Sequence, residues 1–118
     1  AMYRRFSLND EKLEDFKRGN FVVRFLRFNA PFKSETEVHK KVNDMYIVYS
    51  GKAKVLLSDD YEGGREIEPY EIRGCNILNY ETIDMKSGDV LFIPANTSHQ
   101  LLVEEGSLTI VIIKIPEE

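Results

Sequence analysis

The chain has 118 residues, 42% hydrophobic and 31% charged, with 6 Tyr, 7 Phe and a net charge of −4. That is enough for one domain with its own core, and too hydrophobic for a disordered segment. The mild acidity and scattered basic residues argue against a nucleic-acid or anionic-membrane partner. A lone Cys75 rules out an intramolecular disulfide and fits a reducing cytosol. No apolar run is long enough to span a bilayer, and the N-terminus has no signal-type apolar region. The expectation is a soluble, cytoplasmic protein, with Ala1 ahead of Met2 a remnant of cloning.

Residues 1–20 read as an N-terminal helical extension and 21–118 as the main domain. Ser7 or Asn9 can cap a helix, Asp10 and Glu11 suit its positive end, and Leu13 and Phe16 form a short apolar stripe. Gly19 is a plausible stop. Ten or so residues are marginal as a free helix, so this one must lean on the outside of a sheet or on a second subunit.

Phe21 to Phe28, FVVRFLRF, predicts a strand with Phe21, Val23 and Phe25 on one face and Val22, Arg24, Leu26 and Phe28 on the other. If the second face lines a barrel, Arg24 is placed to bind an anionic group of a substrate. On the surface it would simply lie over its own stem. Asn29 to Ser34 makes a turn. Glu37 and His39, two apart, share a strand face. Asp44, Tyr46, Val48 and Ser50 form a second same-face set after a bend at 40–43, so Tyr46 and Ser50 are further candidate pocket residues. Ser50-Gly51 signals a hairpin into the strand Ala53 to Leu57.

Residues 58–87 are the hardest to read: turns at 59–64 and 73–74, a segment from Glu66 to Ile72 that Pro69 demotes to an edge strand, and two short strands within 77–85. A long hairpin excursion is the simplest reading; a cover for a barrel mouth or a dimer edge is the alternative. After the turn at Gly88, Val90 to Ile93 predicts a strand stopped by Pro94. Asn96 suits a left-handed turn position, and the strand Gln100 to Val103 places His99 at its start. Leu108 to Ile115, nearly all β-branched, reads as a central strand before a short tail. Strands at these intervals indicate an all-β sandwich or barrel.

Gly88, five residues, Pro94, and His99 five positions on resemble the second conserved motif of the cupins, with Asn96 where the family usually has glycine. The first cupin motif is a His-x-His pair, a Glu a few residues later, and a Gly seven residues after that Glu. Glu37, His39, Asp44 and Gly51 fall at those positions in that order. The resemblance covers roughly residues 36–115 and implies a single-domain jelly-roll cupin barrel. It also implies a divalent-metal site made by Glu37, His39, Asp44 and His99, with Glu37 a fourth ligand or a nearby base. Mixed imidazole and carboxylate donors suit Fe, Mn, Ni, Co or Zn. Cupin sugar isomerases, epimerases and dioxygenases are the analogies for activity on a small polar molecule, sugar- or carboxylate-like. A small-ligand-binding or sensor cupin with a degenerate metal site is the other reading. The edge strands imply a homodimer.

Overall fold

A computed structural model describes residues 3–118; Ala1, with its reading as a cloning remnant, and Met2 lie outside the described residues. The strands are β1 (Phe16–Arg18), β2 (Phe21–Asn29), β3 (Phe32–Lys33), β4 (Glu37–His39), β5 (Val42–Ser50), β6 (Lys52–Ser58) and β7 (Asp60–Glu62). They continue with β8 (Arg65–Glu68), β9 (Glu71–Arg73), β10 (Asn76–Leu78), β11 (Glu81–Lys86), β12 (Val90–Ile93), β13 (Ser98–Val103) and β14 (Ser107–Pro116). Five of them form one antiparallel sheet in the order β1-β2-β14-β5-β12. The other large sheet runs β11-β6-β13-β4-β9-β8, with β3 also on β13, and β7 and β10 make a separate ribbon. No helix among the described residues is long and apolar enough to cross a membrane.

The two large sheets close on one core. Alternation along β14 sends Leu108, Ile110 and Ile112 inward, where they meet Tyr46 and Val48 of β5, Val55 of β6, Ile93 of β12, and Leu101 and Val103 of β13. The turns are glycine-dependent where the motifs place glycine. Gly51 sits at φ +89°, and a Cβ there would run into the Ser107 carbonyl oxygen. Gly88 takes φ +92° and Asn96 takes φ +69°, so asparagine does accept the left-handed conformation at the position where the family has glycine.

The expected N-terminal helix does not form; among the described residues there is none. Residues 3–15 instead run as turns and extended chain over the outer face of the five-stranded sheet, ahead of β1. Arg27 explains why. Its guanidinium donates to the carbonyls of Leu8, Asp10 and Glu11 and to the Thr109 hydroxyl. Those carbonyls are the acceptors that a helix would need for its own ladder. Phe6 stacks on Phe25 and meets Phe16 edge-on, so the apolar residues are used by the sheet. Gly19, at φ +59°, does not end a helix; it turns the β1–β2 hairpin, in which Arg18 pairs with Phe21.

The excursion is more than a hairpin. Strand β9 pairs with β4 and carries β8 as the outer edge of the seven-stranded sheet. Pro69 lies in the turn between β8 and β9, where Tyr70 adopts φ +70°.

Candidate metal centre

The four candidate ligands reach one point because the chain changes sheets between them. Strand β4 belongs to the seven-stranded sheet and β5 to the five-stranded one. The crossing at Lys40-Lys41 resets the side-chain phase, so that Glu37 and His39 face Asp44 across the interior. The main chain fixes this bend through Lys40 N–H donating to the Tyr70 carbonyl and Asn96 N–H donating to the His39 carbonyl, both 2.8 Å. His99 on β13 stands directly opposite Glu37 in the β-ladder.

Four donor atoms alternate nitrogen and oxygen around a ring. His39 Nε2 lies 3.3 Å from Glu37 Oε2 and 3.1 Å from Asp44 Oδ2. His99 Nε2 lies 3.4 Å from the same Glu37 oxygen and 3.6 Å from the same Asp44 oxygen. First-row divalent ions hold nitrogen and oxygen at about 2.0–2.2 Å, which puts neighbouring donors roughly 3–3.5 Å apart. Glu37, His39 and His99 offer ligand atoms all within 4.8 Å of one another and so fit one ion; Asp44 approaches both imidazoles but lies outside that group of three. Asp44 and His99 are 1% and 2% exposed. Asp44 Oδ2 and His99 Nε2 are buried without a hydrogen-bond partner among the described residues, so the 3.1 Å approach of His39 to Asp44 is close but not aligned as a hydrogen bond.

The other nitrogen of each imidazole is engaged from behind. His99 Nδ1 is 3.0 Å from the Thr97 carbonyl, which can only accept, so this nitrogen carries a proton and Nε2 is the atom turned into the ring. His39 Nδ1 is 2.6 Å from Glu71 Oε1, the carboxylate–imidazole pairing that orients metal-binding histidines. Arg73 bridges the back of the site, 3.3 Å from both Glu37 Oε1 and Glu71 Oε1. Lys114 lies 2.7 Å from Asp44 Oδ1.

These contacts set the charges of the metal-free protein. Burial by itself would raise the Glu37 carboxyl, but the close imidazoles of His39 and His99, and then Arg73, hold it well below the carboxylate range. For Asp44 too, burial is outweighed, here by His39 and Lys114, and its carboxyl is lowered. Burial would lower His39, but the close carboxylates of Asp44 and Glu37 prevail and raise it to about 9. An ion entering here must displace that proton.

The other candidate pocket residues do not all join the centre. Tyr46 does: it is buried, with its ring edge-on to His99 at 6.2 Å between centroids. Burial first, then the charges of Asp44 and Glu37, push its hydroxyl well above 10, so it is a neutral wall. Arg24 falls on the same inward row, opposite Ile112, which in turn faces Tyr46. Its guanidinium nevertheless turns to Asp15, 3.1 Å away. Ser50 is exposed at the far end of β5, past the irregularity between Thr109 and Ile110; its six-residue separation from Asp44 is roughly 20 Å of strand. An open groove of about 550 Å³ around Ala53, Met85 and Glu104 lies elsewhere and contains none of these donors.

Three residues of the site were not anticipated. Lys114 had a signal: it is the next inward position after Leu108, Ile110 and Ile112 on an alternating strand. Glu71 and Arg73 had none, because they come from the excursion and reach the site only through the pairing of β9 with β4.

No family model matches the chain, and no curated protein matches it in sequence. Solved structures do match its fold. A cupin protein from Bacteroides fragilis superposes with a TM-score of 0.62 at 17% identity, over 97% of this chain and 84% of the other. Hydroquinone 1,2-dioxygenase from Sphingomonas sp. TTNP3 gives 0.60 at 15%, over 86% of this chain and 63% of the other. A putative sugar phosphate isomerase from Acidithiobacillus ferrooxidans gives 0.57 at 14%, over 80% and 49%. At these identities the likeness is one of fold: this chain has the fold of a small cupin.

Proposed function

We propose that this protein is a metal-binding cupin acting on a small polar molecule, sugar- or carboxylate-like, by metal-assisted isomerisation or oxygenation. One observation carries the metal reading: two buried donor atoms, Asp44 Oδ2 and His99 Nε2, lack a hydrogen-bond partner among the described residues and face into the same ring of donors. Buried polar atoms are rarely left so, and a bound cation would account for both. A divalent ion supplies Lewis acidity toward a carbonyl or hydroxyl, or a place for dioxygen to react.

The chain's own residues then have distinct parts. Glu37, His39, Asp44 and His99 hold the ion. Glu71 and Thr97 fix the imidazole orientations. Arg73 braces the Glu37 and Glu71 carboxylates from behind, and Tyr46 closes the apolar side of the site. Arg24, at the rim, would exchange Asp15 for an anionic group of a bound molecule. The solved neighbours that carry names for an isomerase and a dioxygenase support these two reaction classes without choosing between them. The buried, lone Cys75 supports a reducing, cytosolic setting.

A ligand-binding or sensor module is the second reading, and the Lys114–Asp44 ion pair favours it, because it already balances one carboxylate of the site. Calorimetric titration with Mn, Fe, Co, Ni and Zn, followed by oxygen-uptake and aldose–ketose interconversion assays on the loaded protein, separates the two. Metal binding with turnover supports the enzyme. Binding of small carboxylates or sugars without turnover supports the module.

A further inference from the structure

Lys114 has no place in the ligand pattern, yet its ammonium reaches the donor ring itself. On β14 the inward residues Leu108, Ile110 and Ile112 are buried, and the next inward position holds Lys114, paired in register with Asp44 on one side and Val22 on the other. Its Nζ lies 2.7 Å from Asp44 Oδ1 and 3.4 Å from His39 Nε2. The titratable groups it touches are Asp44 and His39; Glu37 and Glu71 stand on the His39 imidazole, and Arg73 on those two carboxylates. An ammonium and a divalent ion are both cations that need oxygen and nitrogen lone pairs, and like charges this close repel strongly in a partly buried site. The side chain is also free to leave. It is 20% exposed, and its long flexible stem lets the charged end move toward water while the methylenes stay packed.

We propose that Lys114 and a divalent ion are alternative occupants of one donor set. In the metal-free protein the ammonium holds Asp44 and crowds His39; when the ion binds through Glu37, His39, Asp44 and His99, Lys114 swings outward. The proposal rests on the metal reading of the site and adds that this chain carries its own competitor. Lys114 thereby sets how tightly the metal is held, and a metal that is lost leaves a closed, charge-balanced site behind.

The test is calorimetric titration of wild type, Lys114→Met and Lys114→Arg with Ni(II) and Mn(II), each protein first shown to keep the wild-type circular-dichroism spectrum. Lys114→Met keeps the unbranched stem and removes the charged end, and it should bind at least tenfold more tightly. Lys114→Arg keeps the charge and should stay near wild type. Tighter binding by Lys114→Met supports the proposal. So does binding by Lys114→Met alone, which would also remove the metal reading of the wild-type protein. Equal or weaker binding by Lys114→Met, with wild type still binding, overturns the proposal and leaves the metal reading standing. Failure of all three to bind removes both. If Lys114→Met does not fold, wild type supplies the answer through amine acylation mapped by mass spectrometry. Ni(II) should raise the labelling rate of Lys114 several-fold, and an unchanged or lower rate overturns the exchange.

Discussion

Each imidazole at the centre has Nδ1 engaged from behind and Nε2 turned inward, and this division of labour governs the pH behaviour. His39 is raised to about 9 by the close carboxylates of Asp44 and Glu37, which outweigh its burial. Metal must displace that proton, so affinity should rise about tenfold per pH unit below 9 and level off above it, rather than turning over near the ordinary histidine value of about 6.5. The same shift acts on the metal-free fold. A histidine raised on folding contributes stability that is fully present below about 6.5 and lost as pH rises through about 9. Glu37 and Asp44, both lowered, contribute above the ordinary carboxylate range near 4 and lose that contribution in acid. The metal-free protein should therefore show its highest Tm between roughly pH 5 and 6.5 and soften toward pH 9, measured with chelator present. A Tm that climbs from pH 6.5 to 9 would contradict the His39 environment. At this scale the donor residues were legible, because histidine and carboxylate spacing survives in a linear sequence. Their partners Glu71 and Arg73 were not, because a contact made through non-local strand pairing leaves no spacing to read.

The N-terminal segment and the excursion show what fixes an element when its own propensity is weak. Ser7, Asn9 and the acidic pair Asp10-Glu11 carry real helix-start signals, but a helix of ten residues has little cooperativity to spend against tertiary contacts. Arg27 is read from sequence as one more polar position on β2. In the fold its guanidinium binds three carbonyls of the segment, and Tyr49 donates a hydrogen bond to Asn9. Arg27→Ala should therefore free residues 8–15 for limited proteolysis and lower stability by about 1–2 kcal/mol, since hydrogen bonds to a charged group are worth that order and this one is solvent-screened. Unchanged cleavage and Tm would show that the aromatic contacts of Phe6 alone hold the segment. By contrast β2, β5, β13 and β14 were legible almost residue by residue. Their β-branched and aromatic runs have only one good use, which is a pleated surface buried on at least one face.

Across the whole molecule, the outer face of the five-stranded sheet stands out. Its register aligns Phe16, Val23, Ile113, Met45 and Phe92 in one row, and Phe25, Val111, Ile47 and Val90 in the next. Phe6 covers the Phe16 and Phe25 side, while Phe92 and Val90, on the edge strand β12, are 50% and 58% exposed. We propose that a second copy covers this half, by a two-fold contact of β12 and β5 with their counterparts. The homodimer expected from sequence was placed on edge strands near Pro69 and on the N-terminal helix; the exposed apolar rows offer a different surface for it. Sedimentation at high micromolar concentration should give a dimer for wild type and a monomer for Phe92→Lys. A wild-type monomer would count against the assembly, and a dimer unaffected by Phe92→Lys would move it elsewhere.

Whether Glu37, His39, Asp44 and His99 hold one divalent ion, as proposed, is decided by metal content. The protein, purified without a polyhistidine tag and without chelators, is analysed by elemental mass spectrometry beside His99→Ala and then titrated calorimetrically with Mn, Fe, Co, Ni and Zn. Wild type should carry up to one equivalent of a transition metal, restored to one by titration. His99→Ala should have none and should fail to bind, because it loses one of only two nitrogen donors in the chain's histidines. Indistinguishable metal content and affinity in the two proteins would contradict the metal centre.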